Sequence, residues 1–486
     1  MTLPAAPTEL ADVPNAEWIG ATVVDEKPSA ASKFLVFLIC ASVVLATVLF
    51  GMVDAGTLSL FCLGAGIVGC LWLADAWKSG ELRCTANPLV IPVIGLIIIG
   101  LLQLLPFRSS ASFPEDLLPN EQINRALSLD AFATRLAIVQ LAAMLIYFVA
   151  ALVFINTQKR LRLLTTTIIV LGFIMAVIGI IQYFSGENKA LWLRESPQAL
   201  PFASFINRHH FGALMEMTTA LTLGLIYTGA FKSEKRFLSI FAVVVMGIAL
   251  VLTSSRGAML SFFALLAFLN LVVLAQRQKN KIADAETDIN NPPMANRVVL
   301  IGGAAALVLI IFATVLLLGG DSSLLRSIGA TGGAGGDVSS GRWQFWQTAG
   351  QIIRDYPLTG VGLNAFGVAY TRYDQMNGVY RIEQAHNEYL QVFAEAGVGG
   401  LILVLAFIFL LFRRVLRVFA AAHDRYRRGV AVGALAGCLG IIVHSFFDFP
   451  LRTPANLLIF LMLAALATVQ INYPKLYRRK NKNHSL

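Results

Sequence analysis

The sequence predicts an all-α polytopic integral membrane protein with about 12 transmembrane helices. Hydrophobic residues make up 57% of its 486 residues, charged residues make up 14%, and the mean hydropathy is +0.71. Soluble domains carry about 25% charged residues, so this chain lacks the polar surface that a water-soluble fold needs. Apolar runs of about 20 residues, long enough to cross a bilayer, recur along most of the chain.

The polar, proline-rich residues 1–33 are predicted to be a disordered cytoplasmic tail, and residues 473–486 a basic cytoplasmic tail. Transmembrane helices 1–9 are predicted within residues 34–318, and helices 10–12 within residues 397–472. The individual spans are predicted near residues 34–53, 57–76, 88–106, 131–154, 163–183, 209–231, 237–254, 257–275, 298–318, 397–413, 429–447 and 454–472.

Lysine and arginine accumulate in alternate connecting segments, and this pattern predicts the orientation. Basic connections remain on the cytoplasmic side of a membrane. We therefore expect both termini inside the cell (N-in/C-in) and residues 319–396 outside. The net charge of +10 follows from this arrangement and does not indicate a nucleic-acid partner. The basic segments are residues 77–87, 155–162, 232–236, 276–297, 414–428 and the C-terminal tail.

On this assignment the outer side holds one lysine, Lys189, but many arginines. Arginine keeps its charge when partly desolvated and grips phosphate oxygens with a planar fork, whereas lysine is a strongly hydrated point charge. A bound diphosphate would favour such a surface. Ordinary salt bridges within the outer loops are the alternative explanation.

Residues 319–396 form one long hydrophilic loop, and a loop of this length is expected to fold and to carry function. After a Gly/Ser stretch, RWQFWQTAGQIIRDYP has apolar residues at helical spacing until Pro357 ends the run. A turn with Gly360 and Gly362 follows. QAHNEYLQVFAEAGVGG then predicts a second helix that includes His386 and continues into the next span.

Three short segments are predicted to reach the same outer level as this loop. PFASFINRHHFG brings Asn207, Arg208 and His209, TSSRGAML brings Arg256, and HSFFDFPLRTPAN brings Asp448 and Arg452. Ionisable residues at membrane depth are costly and are functional candidates. We expect none near the centre of a span, and this disfavours an ion-coupled transporter.

No cofactor or metal is expected from the sequence. The five cysteines have no metal-ligand spacing, and GATGGAGG lacks the Lys-Ser/Thr that follows a nucleotide-binding loop.

Residues 205–470 resemble the O-antigen ligase and O-antigen polymerase superfamily. GRWQFWQTAGQIIRDYPLTGVGLNAF followed by AHNEYLQVFAEAGVGG resembles its central signature, and TSSRGA and DFPLRTPAN also resemble its members. The resemblance implies a GT-C-like glycosyltransferase in the bacterial inner membrane, with its active site facing the periplasm and no metal requirement.

The resemblance also implies the partners. The donor would be a glycan on undecaprenyl diphosphate, bound from the surrounding membrane lipid. The acceptor would be a sugar of lipid A–core for a ligase, another lipid-linked repeat for a polymerase, or a protein Ser or Thr for an oligosaccharyltransferase. Of these, we favour the ligase.

Residue roles follow from the matching positions. The functional arginines of the family match Arg256 and Arg342, and its functional histidine matches His386. Without a metal, the two arginines are expected to clamp the diphosphate, and His386 to act as base or to orient the acceptor. The expected substrate-binding residues are Arg208, Asn207, His209, Asn387, Glu383, Glu388, Asp448 and Arg452.

Two other classes of function remain open from the sequence. A flippase for lipid-linked sugars would need a central cationic cavity and an internal repeat, and neither is visible. A structural subunit of a polysaccharide export complex would tolerate changes at Arg256, Arg342 and His386.

Overall fold

The computed structural model describes residues 29–107, 126–196, 199–284, single positions between 305 and 316, 342–374, 381–422 and 424–471. Most of this part of the chain is helical, and its two short strands, β1 (Lys189–Ala190) and β2 (Arg194–Glu195), form one antiparallel hairpin. Residues 1–28 of the predicted tail, most of the predicted span 298–318, the Gly/Ser stretch and the C-terminal tail lie outside the described residues.

The helices are numbered in chain order. The first part of the chain forms α1 (Ala30–Val48), α2 (Ala55–Ser79), α3 (Val90–Gln103), α4 (Ala131–Phe154), α5 (Gln158–Ser185), α6 (Arg208–Tyr227), α7 (Ser233–Leu252) and α8 (Arg256–Asp284). The second part forms α9 (Arg342–Asp355), α10 (Phe366–Thr371), α11 (Glu388–Ala421), α12 (Arg425–His444) and α13 (Pro454–Thr468), with a 3₁₀ turn at Pro450–Arg452.

The protein is a multi-pass membrane protein. Seven helices of the described residues (α1, α2, α4, α5, α7, α11 and α12) are long and apolar enough to cross a bilayer, and α3, α13 and the start of α8 are shorter apolar helices. Every predicted span except residues 298–318 coincides with a described helix. The number of 12 spans and the N-in/C-in orientation stay predictions.

Helix α6 lies at the centre of the bundle and is buried along nearly all of its length. Its closest neighbour is α12, and small residues let the two backbones approach. A methyl group at Gly433 would lie 2.8 Å from the carbonyl oxygens of Ala220 and Leu221, so no larger side chain fits there. Membrane helices associate through such small residues because lipid provides no hydrophobic drive between helices.

The described residues between 342 and 396, which we call the outer layer after the side they are predicted to face, pack as a small second core. Ala349 and Ile352 of α9 lie against Phe366 and Tyr370 around α10 and against Ala394 of α11. Trp343, at the start of α9, stays 62% exposed. This layer covers the outer end of the bundle.

The side chain of Gln103, at the end of α3, ties the outer layer to the bundle. Its amide nitrogen donates to the carbonyls of Thr359 and Glu395, each at 2.7 Å, and its oxygen accepts from Leu363 N at 3.0 Å. These buried bonds satisfy backbone groups of the glycine turn, so the turn has a fixed place against the bundle.

Helix α11 is broken at Gly397, which has φ +64° and ψ −169°. A side chain there would overlap the carbonyl of Leu358, and one at Gly360 would overlap the carbonyl of Glu395. The break therefore divides α11 into a short outer arm from Glu388 to Ala396 and a long apolar segment.

Candidate functional site

The turn that follows α12 is the centre of the candidate site. Helix α12 ends at His444, whose carbonyl accepts hydrogen bonds from Phe447 N at 2.8 Å and Asp448 N at 3.1 Å. The Asp448 carboxylate accepts a bond from Phe449 N at 2.9 Å. Pro450 then begins the 3₁₀ turn because its ring lacks the N–H that a continuing helix would need. The side chain of Asp448 is thereby fixed and almost fully buried.

His386 does not lie in a helix, so the prediction that it is part of the second loop helix is wrong. Helix α11 begins at Glu388, and the side-chain oxygen of Asn387 caps it by accepting from Tyr389 N and Leu390 N. His386 adopts a left-handed backbone with φ +51°. Asparagine is among the best N-cap residues, and capping at Asn387 places the histidine on the turn before the helix.

The imidazole of His386 is held by a carboxylate and two aromatic rings. Its Nδ1 lies 3.2 Å from Oδ1 of Asp448. The ring of Phe345 stacks on it at a centroid distance of 5.7 Å, and Phe449 meets it edge-on at 4.8 Å. Since Nδ1 faces the carboxylate, Nε2 is the nitrogen left to meet a ligand. The side chain remains 29% exposed.

Arg342 contacts the same carboxylate from the other side. A terminal guanidinium nitrogen of Arg342 lies 3.7 Å from Oδ2 of Asp448, and the arginine side chain is 23% exposed. Asp448 thus joins a histidine and an arginine that the sequence separates from it by 62 and 106 positions (448 − 386 and 448 − 342). Two of the three predicted catalytic residues therefore meet at one buried carboxylate.

The electrostatics of this cluster favour an ionised Asp448. Burial alone would raise the pKa of the carboxyl, but the hydrogen bond to His386, together with the nearby His209, holds that pKa well below its usual range. A hydrogen bond and nearby positive charge both favour the charged form. Asp448 therefore remains a carboxylate at neutral pH and can orient its two partners.

Arg256, the third predicted catalytic residue, begins α8 beside this turn. A methyl group at the neighbouring Gly257 would lie 2.9 Å from Cδ2 of His444 and 3.4 Å from Cβ of Phe447. The start of α8 is thus in direct contact with the residues that lead to Asp448. The side chain of Arg256 is exposed.

Two predicted site arginines, Arg208 and Arg256, are each the first residue of a helix. The N-terminus of a helix carries partial positive charge, which favours a bound anion nearby. Backbone N–H groups at the same helix ends are donors suited to phosphate. This placement is the one expected for an anionic substrate.

Arg452 lies in a different environment, at the polar end of an apolar cavity of about 520 Å³. Its guanidinium lies 3.3 Å from Oε2 of Glu388 and 2.8 Å from Oε2 of Glu395. Burial would lower the pKa of Arg452, but Glu395 and Glu388 raise that pKa above its ordinary value. The structure therefore places Arg452 and Glu388 in a buried ion-pair network with Glu395.

Arg208 lines a second cavity of about 300 Å³, together with Glu187, Asn188 and Ser254. Ser254 is two residues before Arg256, so this cavity borders the start of α8. The neighbouring residue His209 is close enough to interact electrostatically with Asp448 and Arg342. The starts of α6 and α8 and the side chain of Arg342 are therefore arranged around one region.

The remaining predicted binding residues have partners within the protein. The side-chain oxygen of Asn207 accepts from His209 N and caps α6. Asn387 caps α11, and its amide nitrogen also donates to Phe446 O at 3.1 Å. Glu383 is exposed and pairs with Arg381 at 2.9 Å.

One ionisable pair was missed from the sequence. Glu216 lies eight residues inside α6, and its Oε1 is 2.8 Å from Nδ1 of His444, with both side chains fully buried. The expectation that no ionisable residue lies near the centre of a span is therefore wrong. A lone carboxylate within the run FGALMEMTTALTLGL was the available signal.

Comparison with known protein families gives one match. The family model described as O-antigen ligase matches residues 241–405. This stretch includes Arg256, Arg342 and His386 but ends before Asp448. A search of curated proteins finds no match. The family match confirms the resemblance to the O-antigen ligase and polymerase superfamily and supports a function of that general type.

Proposed function

We propose, from the premise that residues 241–405 match the O-antigen ligases, that this membrane protein is a glycosyltransferase. It moves a glycan from an undecaprenyl diphosphate carrier to an acceptor hydroxyl at the periplasmic face of the bacterial inner membrane. The observation that carries the proposal is the contact of Asp448 with both His386 and Arg342. The contact brings together His386, a proton acceptor, and Arg342, a cation, and glycosyl transfer needs both.

His386 serves the acceptor side of the reaction. Asp448 at Nδ1 fixes the ring so that Nε2 faces the acceptor hydroxyl. Nε2 takes the hydroxyl proton while the acceptor oxygen forms its bond to the anomeric carbon, and the carboxylate stabilises the imidazolium that results. Asp448 acts on the reaction through His386 and Arg342.

The arginines serve the leaving group. As the bond between the anomeric carbon and the diphosphate oxygen breaks, its electron pair stays with the diphosphate. Arg342 and Arg256 stabilise this growing negative charge; the side chain of Arg342 is 23% exposed and that of Arg256 is exposed. Arg208 lies at the border of the same region and binds the donor more peripherally.

Ligase and polymerase share this chemistry and differ in the acceptor. A ligase joins the glycan to lipid A–core, and a polymerase joins it to another lipid-linked repeat. In a deletion strain, unattached polymer would accumulate without the ligase, whereas single short repeats on lipid A would result from loss of a polymerase. The glycan profile of that strain therefore distinguishes the two.

The test of the proposal uses purified protein in lipid nanodiscs with a prenyl-diphosphate-linked glycan. We expect Arg342→Ala to lower turnover by about 10²–10³-fold because one preorganised charge at the leaving group is lost. Arg342→Lys should also be impaired, since a point charge cannot grip two oxygens. The matched control is Arg354→Ala, an exposed arginine at the other end of the same helix. Normal transfer by Arg342→Ala would refute the proposal.

His386→Ala separates chemistry from binding. We expect donor binding to persist while turnover falls by about 10²–10⁴-fold, the usual contribution of general base catalysis. Equal loss of binding and turnover would make His386 a binding residue instead. Transfer should also continue in the presence of a chelator, and a divalent metal requirement would contradict the arginine-based scheme.

A further inference from the structure

The buried pair of Glu216 and His444 has no part in the transfer steps described above. Glu216 lies about 12 Å along the axis of α6 from Arg208, the first residue of that helix. Two isolated polar groups at such depth would be strongly destabilising. A carboxyl group and an imidazole are complementary, and each offsets part of the cost of burying the other. The 2.8 Å contact therefore explains how the pair is tolerated there.

His444 contacts two parts of the site, the turn that carries Asp448 and the start of α8. Its backbone carbonyl accepts from Phe447 N and Asp448 N and so shapes the turn that carries the carboxylate. Its imidazole lies against Gly257, where a methyl group would be only 3.0 Å from Nε2. One residue thus contacts both the Asp448 turn and the start of α8.

Glu216 holds this imidazole from a third helix. Its Oε1 faces Nδ1 of His444, and its Oε2 would lie 3.4 Å from a methyl group at Gly440, one turn earlier on α12. Near the outer end, Gly212 of α6 packs against Ala258 of α8, where a methyl group would be 2.8 Å away. Helices α6, α8 and α12 therefore meet closely around the pair.

We propose that Glu216 and His444 are positioning residues that fix the start of α8, and with it Arg256, relative to Asp448 and His386. Both residues act on the same anomeric carbon: Arg256 stabilises the diphosphate that leaves it, and His386 activates the acceptor hydroxyl that attacks it. A displacement of about 1 Å at such a site can cost as much as 10²-fold in rate. The inference rests on the proposed glycosyl transfer.

The test combines kinetics with stability for Glu216→Gln, His444→Gln and the double variant. Both substitutions retain polar side chains of similar size but remove the carboxylate–imidazole contact. We expect each single variant to lower kcat by roughly 10-fold or more with little change in donor KM, because binding groups remain and their alignment is lost. The double variant should be no worse than the poorer single variant, since the pair acts as one unit.

The matched control is Thr222→Val on the same helix. Its hydroxyl is buried and bonds only to the carbonyl of Thr218 within α6, so we expect unchanged kcat. Wild-type kcat in Glu216→Gln and His444→Gln would overturn the inference, as would a lower unfolding temperature with normal kcat. Absence of transfer by the wild-type protein would instead refute the proposed function, so the two failures are distinguishable.

Gly257→Ala gives an independent test that leaves both members of the pair intact. The added methyl group would press on Cδ2 and Nε2 of His444 and push the start of α8 outward. We expect kcat to fall here too, by roughly 10-fold, while Gly350→Ala, a glycine with open space around it, leaves kcat unchanged. Normal kcat in Gly257→Ala would contradict the positioning role.

Discussion

The carboxylate of Asp448 orients two partners, His386 and Arg342, and this makes it the most sensitive single position of the site. Asp448→Asn keeps the shape but removes the charge that orients His386 and Arg342. We expect kcat to fall by about 10²–10⁴-fold, comparable to loss of the base itself, because the imidazole loses its orientation. Steady-state kinetics measure this, and turnover within threefold of wild type would show that Asp448 is not needed.

The depressed pKa of Asp448 also predicts a pH dependence of stability. In the unfolded chain its pKa is about 3.9, and in the folded protein it is well below that value. Its contribution to stability is therefore complete above pH of about 4 and is lost as pH falls through the folded pKa. We expect the difference in unfolding temperature between wild type and Asp448→Asn to stay constant from neutral pH to about 5 and to shrink below about 4. A difference that already shrinks between pH 7 and 5 would contradict the assigned ionisation.

Arg452 provides the contrast, because its two carboxylate partners make it a stability residue. Arg452→Met would leave Glu388 and Glu395 buried without their cation. We expect a loss of roughly 3–5 kcal/mol in stability, seen as lower unfolding temperature and less protein in the membrane. Adding Glu388→Gln and Glu395→Gln should restore much of the loss. Arg342→Ala, by comparison, should remain well folded, and the reverse pattern would reassign the roles of the two arginines.

At the level of helices, the break in α11 requires glycine at position 397. Its φ and ψ lie in a region that other residues avoid at a cost of about 1–3 kcal/mol, and a side chain would also overlap the Leu358 carbonyl. We expect Gly397→Ala to lower the unfolding temperature clearly. Gly350→Ala in the exposed part of α9 should be neutral or slightly stabilising, because alanine favours helix and nothing lies nearby. Equal stability of the two variants would argue against the strained break.

The sequence predicted helices better than contacts. Apolar runs predicted α4 at its observed bounds, and Pro357 predicted the end of α9, because hydrophobicity and helix termination are local properties. The start of α11 was also local, since Asn followed by Glu is a capping signal, but it was misread. The Asp448–His386 contact and the Glu216–His444 pair were not predictable, because each joins residues that only packing of distant helices brings together.

For the protein as a whole, the basic segments predict which ends of the helices face the cytoplasm. Cys84 is exposed and lies in the predicted inner segment 77–87. We expect a membrane-impermeant maleimide to label Cys84 only after the inner membrane is opened. A cysteine placed at the exposed Glu383 in a Cys84→Ser background should react in spheroplasts with an intact inner membrane. The opposite labelling pattern would invert the topology and move the site to the cytoplasmic face.

The contact between His386 and Asp448 joins a residue inside the family match, which ends at residue 405, to one beyond it. Residues 241–405 contain the motifs of the family, but they cannot be exchanged alone for those of a relative, because Asp448 lies outside them. A chimera that takes only this stretch from a relative would combine the relative's residue at position 386 with Asp448 of this protein. The surfaces around the two residues would then come from different proteins. Engineering of acceptor preference in this protein should therefore graft the α12–α13 turn together with the loop.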